Sequence, residues 1–581
     1  MKKIFMIMAV AGMSVLTSCD DVWDPAKQNF KDVSQMESEP DFAMGFLTKA
    51  YSAVADSYRN TEYATDDAVV NQNGNSYRSM ATGGWTSSSS PINEWTNSYA
   101  GIQYLNQFLS KVDDVVWSTD TERSEMLRVR MEAEARALRA ILHYQLLRTH
   151  SGYDKGDNLL GVPYLESYLG ANDDMNLTRP SYKDCVAKIV ADLNHAIEVL
   201  PLDYEDCTEV PDRYKKYTND PEIYNRTMGA NFRQLVSGRI AMAYLSRVTL
   251  LAASDGFANT CSWEEAANAS AVVLKENNGV AGIGAGTPEY YTASIADKLK
   301  EGVTPAEVIW RGNVGEGNGE EKNNMPPSVN GNGNMNPSQN LVDAFPMANG
   351  YPITMMESGY DNANPYAGRD PRLNMYIIYN GSKGIGVNNA VIRTVQGTTD
   401  GIGNVEQRST NTGYYMKKRL RMDVNLTAGS ETKKNHYTPR VRYTEIYLNY
   451  AEAANEAWGP KADGGNGFSA YDVIKAIRQR AGVGGTEDPY LEECAASTDK
   501  MRQLIRNERR LELCFEDSRF WDLRRWKADL NTPVMGINWK EDGTYEIFEV
   551  EKRSYEDYMN YPPIPNSEIL KYSNLMQNKG W

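Results

Sequence analysis

Between Asp499 and Leu530 the chain reads DKMRQLIRNERRLELCFEDSRFWDLRRWKADL, and no other stretch restricts the fold as tightly. Met501, Leu504, Ile505, Leu511, Cys514, Phe515, Leu523 and Trp526 recur mostly three and four apart, which predicts one long amphipathic helix with a continuous apolar stripe. Arg509 with Glu512, Glu516 with Arg519 and Asp522 with Arg525 are opposite charges three apart. Each such pair adds only about 0.2–0.5 kcal/mol. The density of charge exceeds what a solvated face needs, so several of these arginines are expected to reach neighbouring helices. The segment is therefore expected to lock the C-terminal helices together and to lie away from any ligand, with Trp521 serving stability.

The same periodicity recurs through the chain. Leu127, Met131, Ala135, Leu138, Leu142 and Leu146 share one helical face, as do Tyr182, Val186, Ile189, Leu193, Ile197 and Leu200. Pro201 stops the second run. A first helix is predicted over Asp41–Tyr58, and others near Ala230–Asp255, Trp263–Asn277, Arg442–Trp458 and Ala470–Ala481. Paired helices of this length give the fold class: mostly α, a tetratricopeptide-like helical-repeat scaffold without a clean 34-residue consensus. Helical periodicity lapses over residues 279–440, a large loop-rich insertion with short β-strands such as Val308-Ile309-Trp310 and Met375–Tyr379.

Lys2 and Lys3 before the apolar run Ile4–Leu16 form a secretory signal, too short to span a bilayer. Leu16-Thr17-Ser18-Cys19 resembles a bacterial lipobox, which implies cleavage before Cys19 and lipidation there. Asp20, Asp21 and Asp24 follow, and resemble a surface-export signal of Bacteroidetes lipoproteins. The expected division is residues 1–18 signal peptide, 19–40 lipidated Cys and tether, 41–278 an N-terminal helical-repeat part carrying loop 59–91, 279–440 the insertion, and 441–581 a C-terminal helical part. These parts are expected to form one compact unit. Loss of residues 1–18 removes two lysines and no acid, taking the formal charge from −16 to −18. That balance argues against nucleic acid, whose phosphates demand a basic surface.

Little in the chain points to catalysis or metal. Cys185, Cys207, Cys261, Cys494 and Cys514 lack zinc spacing and are odd in number, and Cys185 and Cys514 sit on apolar faces as buried thiols. His143 and His150 are seven apart on one helix and are read as packed or capping residues. Gly282, Gly284 and Gly286 follow a helix where a dinucleotide site needs a strand. Asp154, Gly156 and Asn158 lack the glycine of a calcium loop at Leu159. No metal, cofactor or enzymatic activity is expected, since no nucleophile motif or carboxylate pair stands out.

A binding site fits better. Covering roughly 60 Å² of a pyranose face with an indole gives about 1–2 kcal/mol, and the hydroxyls then need amide, carboxylate or guanidinium partners. Trp85, in a loop of turn formers with Asp66, Asp67, Asn71, Asn73 and Arg78 nearby, meets both needs, whereas Trp95 is read as core.

Several blocks carry a family resemblance. Arg506-Asn507-Glu508-Arg509-Arg510 with Arg519-Phe520-Trp521-Asp522-Leu523, the run Pro337–Phe345, Arg369-Asp370-Pro371-Arg372-Leu373, Arg442–Ala453, Tyr561–Pro565 and the ending Gln577–Trp581 resemble the SusD/RagB family in the family's order. Asp517 departs from the family's usual Gly and Lys579 from its frequent Pro. The resemblance implies a surface-exposed, non-catalytic outer-membrane lipoprotein that binds oligo- or polysaccharide and delivers it to a SusC-like TonB-dependent barrel transporter. It also implies that aromatics of the insertion join the ligand platform, namely Trp310 and Tyr290 or Tyr291. A peptide-capturing RagB-like protein and a helical-repeat scaffold that binds only protein are the alternatives.

Overall fold

The computed structural model describes residues 32–55, 57–285, 288–299, 304–404 and 408–581. The signal peptide, Cys19 and most of the tether lie outside the described residues. Among those described, no helix is long and apolar enough to cross a membrane.

Ten helices make the scaffold: α1 (Pro40–Tyr51), α2 (Trp95–Leu109), α3 (Thr121–His150), α4 (Tyr182–Val199), α5 (Gly238–Ala253), α6 (Trp263–Lys275), α7 (Tyr443–Trp458), α8 (Ala470–Ala481), α9 (Thr498–Glu512) and α10 (Arg519–Arg525). From α1 to α6 each packs on the next, α6 packs on α7 across the insertion, and α7 packs on α8 and α9. This is the tetratricopeptide-like stacking that the periodicity predicts. The 30 residues of α3 make its spine, about 45 Å long. Asp120 starts it by accepting the Arg123 N–H at 2.9 Å, and its second half is buried nearly all round because α2, α4 and α5 flank it.

The insertion has a core of its own. Met335, Leu341, Phe345, Tyr376 and Tyr414 pack with Leu511 at the end of α9 and with Cys514 and Phe515 in the turn after it. Strand β1 (Ala68–Val70) pairs antiparallel with β3 (Met335–Pro337), and β2 (Val308–Arg311) pairs with β4 (Pro439–Arg442), which leads directly into α7. The first pairing joins the insertion to the loop 59–91, and the second sets its early strand against the stretch that leads out of it into α7.

Three expectations need correction. The first helix ends at Tyr51, and Val54, Ala55, Ser57, Tyr58, Arg59 and Thr61 line a cleft instead. The segment Asp499–Leu530 is two helices: α9 stops at Glu512, and Phe515 and Asp517 take left-handed backbone (φ +63° and +59°) before α10 begins. The C-terminal part also holds a β-hairpin, β5 (Val534–Trp539) with β6 (Tyr545–Glu551), whose turn carries Gly543 at φ +82°. The Asp542-Gly543 dipeptide is a hairpin signal, here overshadowed by the neighbouring helical pattern.

Charges of the C-terminal segment cross to remote partners. Of the three pairs read at spacing three, only Asp522–Arg525 forms, at 2.8 Å; Arg509 instead reaches Asp522, and Arg519 reaches Asp66. Fully buried Arg372 binds Asp370, Glu508 and Glu512; Arg480 binds Glu512 and Glu307; Arg442 binds Glu307 and Glu516. Glu452 of α7 accepts from Arg525 at 2.6 Å on both oxygens and from the Trp526 indole at 2.6 Å.

Burial alone would raise the Glu452 carboxyl, but Arg525, and then Arg509 and Trp526, outweigh it and hold the group at about 2. A depressed carboxylate stabilises the fold fully above its unfolded value near 4.5 and loses that contribution as pH falls through the folded value. The stability gap between wild type and Glu452→Gln in denaturant titrations is therefore expected to shrink by about 3 kcal/mol between pH 5 and pH 2. A gap that stays constant over that window contradicts the assignment.

Candidate ligand-binding site

A cleft of about 190 Å³ opens where α3, residues 57–61, β4 and the start of α10 meet. Its aromatic lining is Trp521 of α10, Tyr77, Tyr58, and Tyr144 and Tyr244 from α3 and α5. Trp521, Tyr77 and Tyr58 are half-buried. Charged groups occur between them. Arg59 pairs with Glu94 at 2.8 Å, Arg247 with Glu445 at 2.6 Å, and Arg509 with Asp522 at 2.8 Å.

The turn between α9 and α10 aims Trp521 here. The Asp517 carboxylate accepts the N–H groups of Arg59 at 2.5 Å and Thr61 at 2.8 Å, and the Asp517 N–H donates to Glu62 at 2.7 Å. Left-handed conformation at a non-glycine residue costs on the order of 1–3 kcal/mol, and these bonds offset it while tying residues 57–61 to the turn. The departure from the family's Gly at Asp517 thus lies at the cleft wall. Burial, and next the charge of Asp517, push the Glu62 carboxyl well above its usual range.

A second, smaller cavity of about 60 Å³ shares Ser57, Tyr58 and Thr438 with the cleft and is lined by Tyr290, Tyr291, Arg419, His436 and Tyr437. Tyr58 and Tyr290 share a hydrogen bond of 2.6 Å between hydroxyls, and the Arg419 guanidinium lies 4.1 Å over the Tyr58 ring.

The residues singled out from the sequence fall elsewhere or are engaged internally. Trp85 is 3% exposed: its indole N–H donates to Ser90 at 3.0 Å, and its ring packs against Phe520, Tyr555 and Trp581. The open platform expected at Trp85 is thus corrected. Its covering rings come from residues remote in sequence, so local composition made it look bare. Asp66 and Asp67 are buried against Arg510 and Arg519, which take up both carboxylates. Asn71 is buried and donates to the carbonyls of Asn332 and Arg408. Asn73 and Arg78 stay at the surface, joined to each other at 2.7 Å with Arg78 also on Glu551. Trp310 is fully buried and donates to the Gln234 carbonyl at 3.0 Å, so core packing accounts for it. Tyr290 and Tyr291, 1% and 9% exposed, are buried in the second cavity's wall.

Other readings hold. Trp95 is core, edge-on to Tyr99 and His150. His143 and His150 are packed: each Nδ1 meets a carbonyl, Arg139 at 2.9 Å and Pro563 at 2.8 Å, and each Nε2 accepts a backbone N–H, from Leu165 and Glu94. Burial lowers the two imidazoles to about 3 and about 4, so both are neutral. Burial raises the Cys185 and Cys514 thiols to about 11 and about 12, as inert core cysteines require.

Trp521, read from the sequence as serving stability away from any ligand, lines the cleft, and Tyr58, Tyr77, Arg148, Arg59 and Glu94 were not singled out. One signal existed: Trp521 lies off the apolar stripe of its own helix, and a Trp off the buried face is placed to meet something else.

Trp85 and Trp521 should therefore part company on mutation. Trp85→Ala is expected to lower unfolding free energy by about 3–5 kcal/mol, the cost of emptying a buried aromatic site, with ligand affinity unchanged in the folded fraction. Equilibrium denaturation with a parallel binding titration checks this, and a Trp85→Ala protein that is stable but binds nothing contradicts it.

Comparison with known proteins agrees with this architecture. Residues 306–581 match the SusD family, and residues 28–217 match the family described as starch-binding associating with outer membrane. A SusD-like protein of Bacteroides fragilis superposes with a TM-score of 0.71 at 23% identity, over 96% of this chain and 100% of its own. A SusD-like carbohydrate-binding protein of the same species gives 0.67 at 22% identity, over 93% and 99%. A laminarin-binding SusD-like protein gives 0.56 at 19%, also over 93% and 99%. A SusD-like protein of Formosa agariphila is 33% identical over 151 residues, a match spanning only about a quarter, 26%, of either chain. Two family matches, one on the N-terminal helices and one running from the insertion to the last residue, and a fold shared over nearly its full length, identify the chain as a member of the SusD/RagB family.

Proposed function

We propose that the protein is a surface-anchored, non-catalytic glycan-binding lipoprotein that captures oligosaccharide and hands it to a SusC-like TonB-dependent transporter of the outer membrane. The observation that carries the binding reading is the cleft: half-buried Trp521, Tyr77 and Tyr58 beside Arg59 and Glu94. Sugar recognition needs this combination, because ring faces cover the apolar C–H surface and planar charged groups take the hydroxyls.

The names of relatives support the same ligand class, since two structural neighbours are a carbohydrate-binding and a laminarin-binding SusD-like protein. The lipobox-like Leu16–Cys19 supports anchoring at Cys19, and the family description supports an outer-membrane setting. Cleft size narrows the ligand. At about 190 Å³ it lies below the roughly 300 Å³ of a site for a drug-sized molecule, so it takes the end or a branch of a glycan.

Native gels containing a panel of polysaccharides test this with the lipid-free protein. At least one polysaccharide is expected to retard the wild type, and Trp521→Ala to lose that retardation while keeping its fold by circular dichroism. Retardation by none, with peptides bound instead, overturns the glycan reading.

A further inference from the structure

We propose that the cleft takes an acidic saccharide and that Arg148 recognises its carboxylate or sulfate group, an assignment that rests on the cleft being the glycan site. Arg148 stands in the last turn of α3, half-buried, with its guanidinium carbon 4.5 Å over the Trp521 ring and 5.7 Å over that of Tyr144. Its Nε is sealed from solvent and has no hydrogen-bond acceptor. Among the described residues no carboxylate lies within ion-pair distance of it.

The neighbouring arginines differ. Arg59, Arg247, Arg442, Arg509 and Arg525 all line the cleft, and each meets a carboxylate at 2.6–2.8 Å. Glu94 is an acid whose charge Arg148 feels, and Arg59 already occupies it. The Glu94 carboxylate is held by Arg59 at 2.8 Å and so is not left over for Arg148. In a chain of formal charge −16, acidic partners are abundant. A guanidinium left without one, held over the aromatic ring expected to carry the sugar, is a local excess of positive charge at the binding surface.

The chemistry of the group narrows the ligand. A guanidinium is planar, permanently charged and has its donors in a fork that fits a carboxylate or a sulfate ester through two parallel hydrogen bonds. A uronate ring presents such a carboxylate at its edge while its C–H face stays free for Trp521, and a sulfated ring does the same with its sulfate oxygens. A neutral sugar offers only hydroxyls, which leave the excess charge uncompensated.

Calorimetric titration with oligogalacturonate, its methyl ester, a sulfated galactan oligosaccharide, its desulfated form and a neutral glucan oligosaccharide tests the assignment. The wild type is expected to bind one acidic oligosaccharide at least tenfold more tightly than its neutral counterpart, the uronate and sulfate arms telling the two sources apart. Arg148→Gln should lose that tenfold preference while keeping its affinity for the neutral form, and Arg148→Lys should keep part of it. If Arg148→Gln is poorly folded, the lysine variant and the salt dependence of the wild type carry the test. Equal affinity for acidic and neutral forms, with Trp521→Ala still abolishing both, overturns the acidic assignment and leaves the glycan cleft standing. Undiminished preference in Arg148→Gln also overturns it. Binding to none of the sugars, or to acidic peptides in their place, overturns the cleft reading together with it.

Discussion

The buried charge network around Glu508, Glu512 and Glu516 is the constraint on which the rest of the structure depends. Arg372 comes from the insertion, Arg442 from the strand that enters α7, Arg480 from α8, and the glutamates from the end of α9 and the turn after it. Buried ion pairs add little net stability over an apolar core, but removing one partner costs about 3–5 kcal/mol because the other is left uncompensated. Such a network tolerates few alternative packings. It therefore fixes the loop-rich insertion against the helical stack, and a cleft bordered by the strand β4, the helix α3 and the C-terminal turn is held open in one shape.

The turn between α9 and α10 converts this rigidity into a site. The apolar pattern runs through it without interruption, yet Phe515 and Asp517 adopt left-handed backbone and the chain changes direction. Phe515 is fully buried in the insertion's core, and Asp517 is bonded to Arg59 and Thr61. Two anchors of different chemistry thus hold one strained turn. Its consequence is that Trp521 leaves the core stripe and faces the cleft, with Arg148 over its ring.

The helical architecture was legible because periodicity is a local property, and helices such as α3, α7 and α8 begin and end within a few residues of the pattern. Family membership was legible because its blocks are contiguous. The site was only partly so. Trp85 looked exposed since Gly84 and a run of serines flank it, while the rings that bury it stand at positions 520, 555 and 581. Asp66 and Asp67 looked available since their arginine partners lie more than 440 positions away. The cleft itself is assembled from seven stretches of chain, each unremarkable in isolation. Exposure and pairing are long-range properties, and they decide which of many aromatic and charged residues can meet a ligand.

Under the proposed function, ligand is held at Trp521 and Arg148, in a cleft that the buried network keeps preformed. Hydrogen–deuterium exchange with and without a bound oligosaccharide tests it most directly. Added protection is expected in residues 57–61, 144–148 and 517–522, with little change in the Trp85 loop or across the insertion's core. Protection centred on the 72–90 loop, or a broad ordering of the insertion on binding, would contradict it.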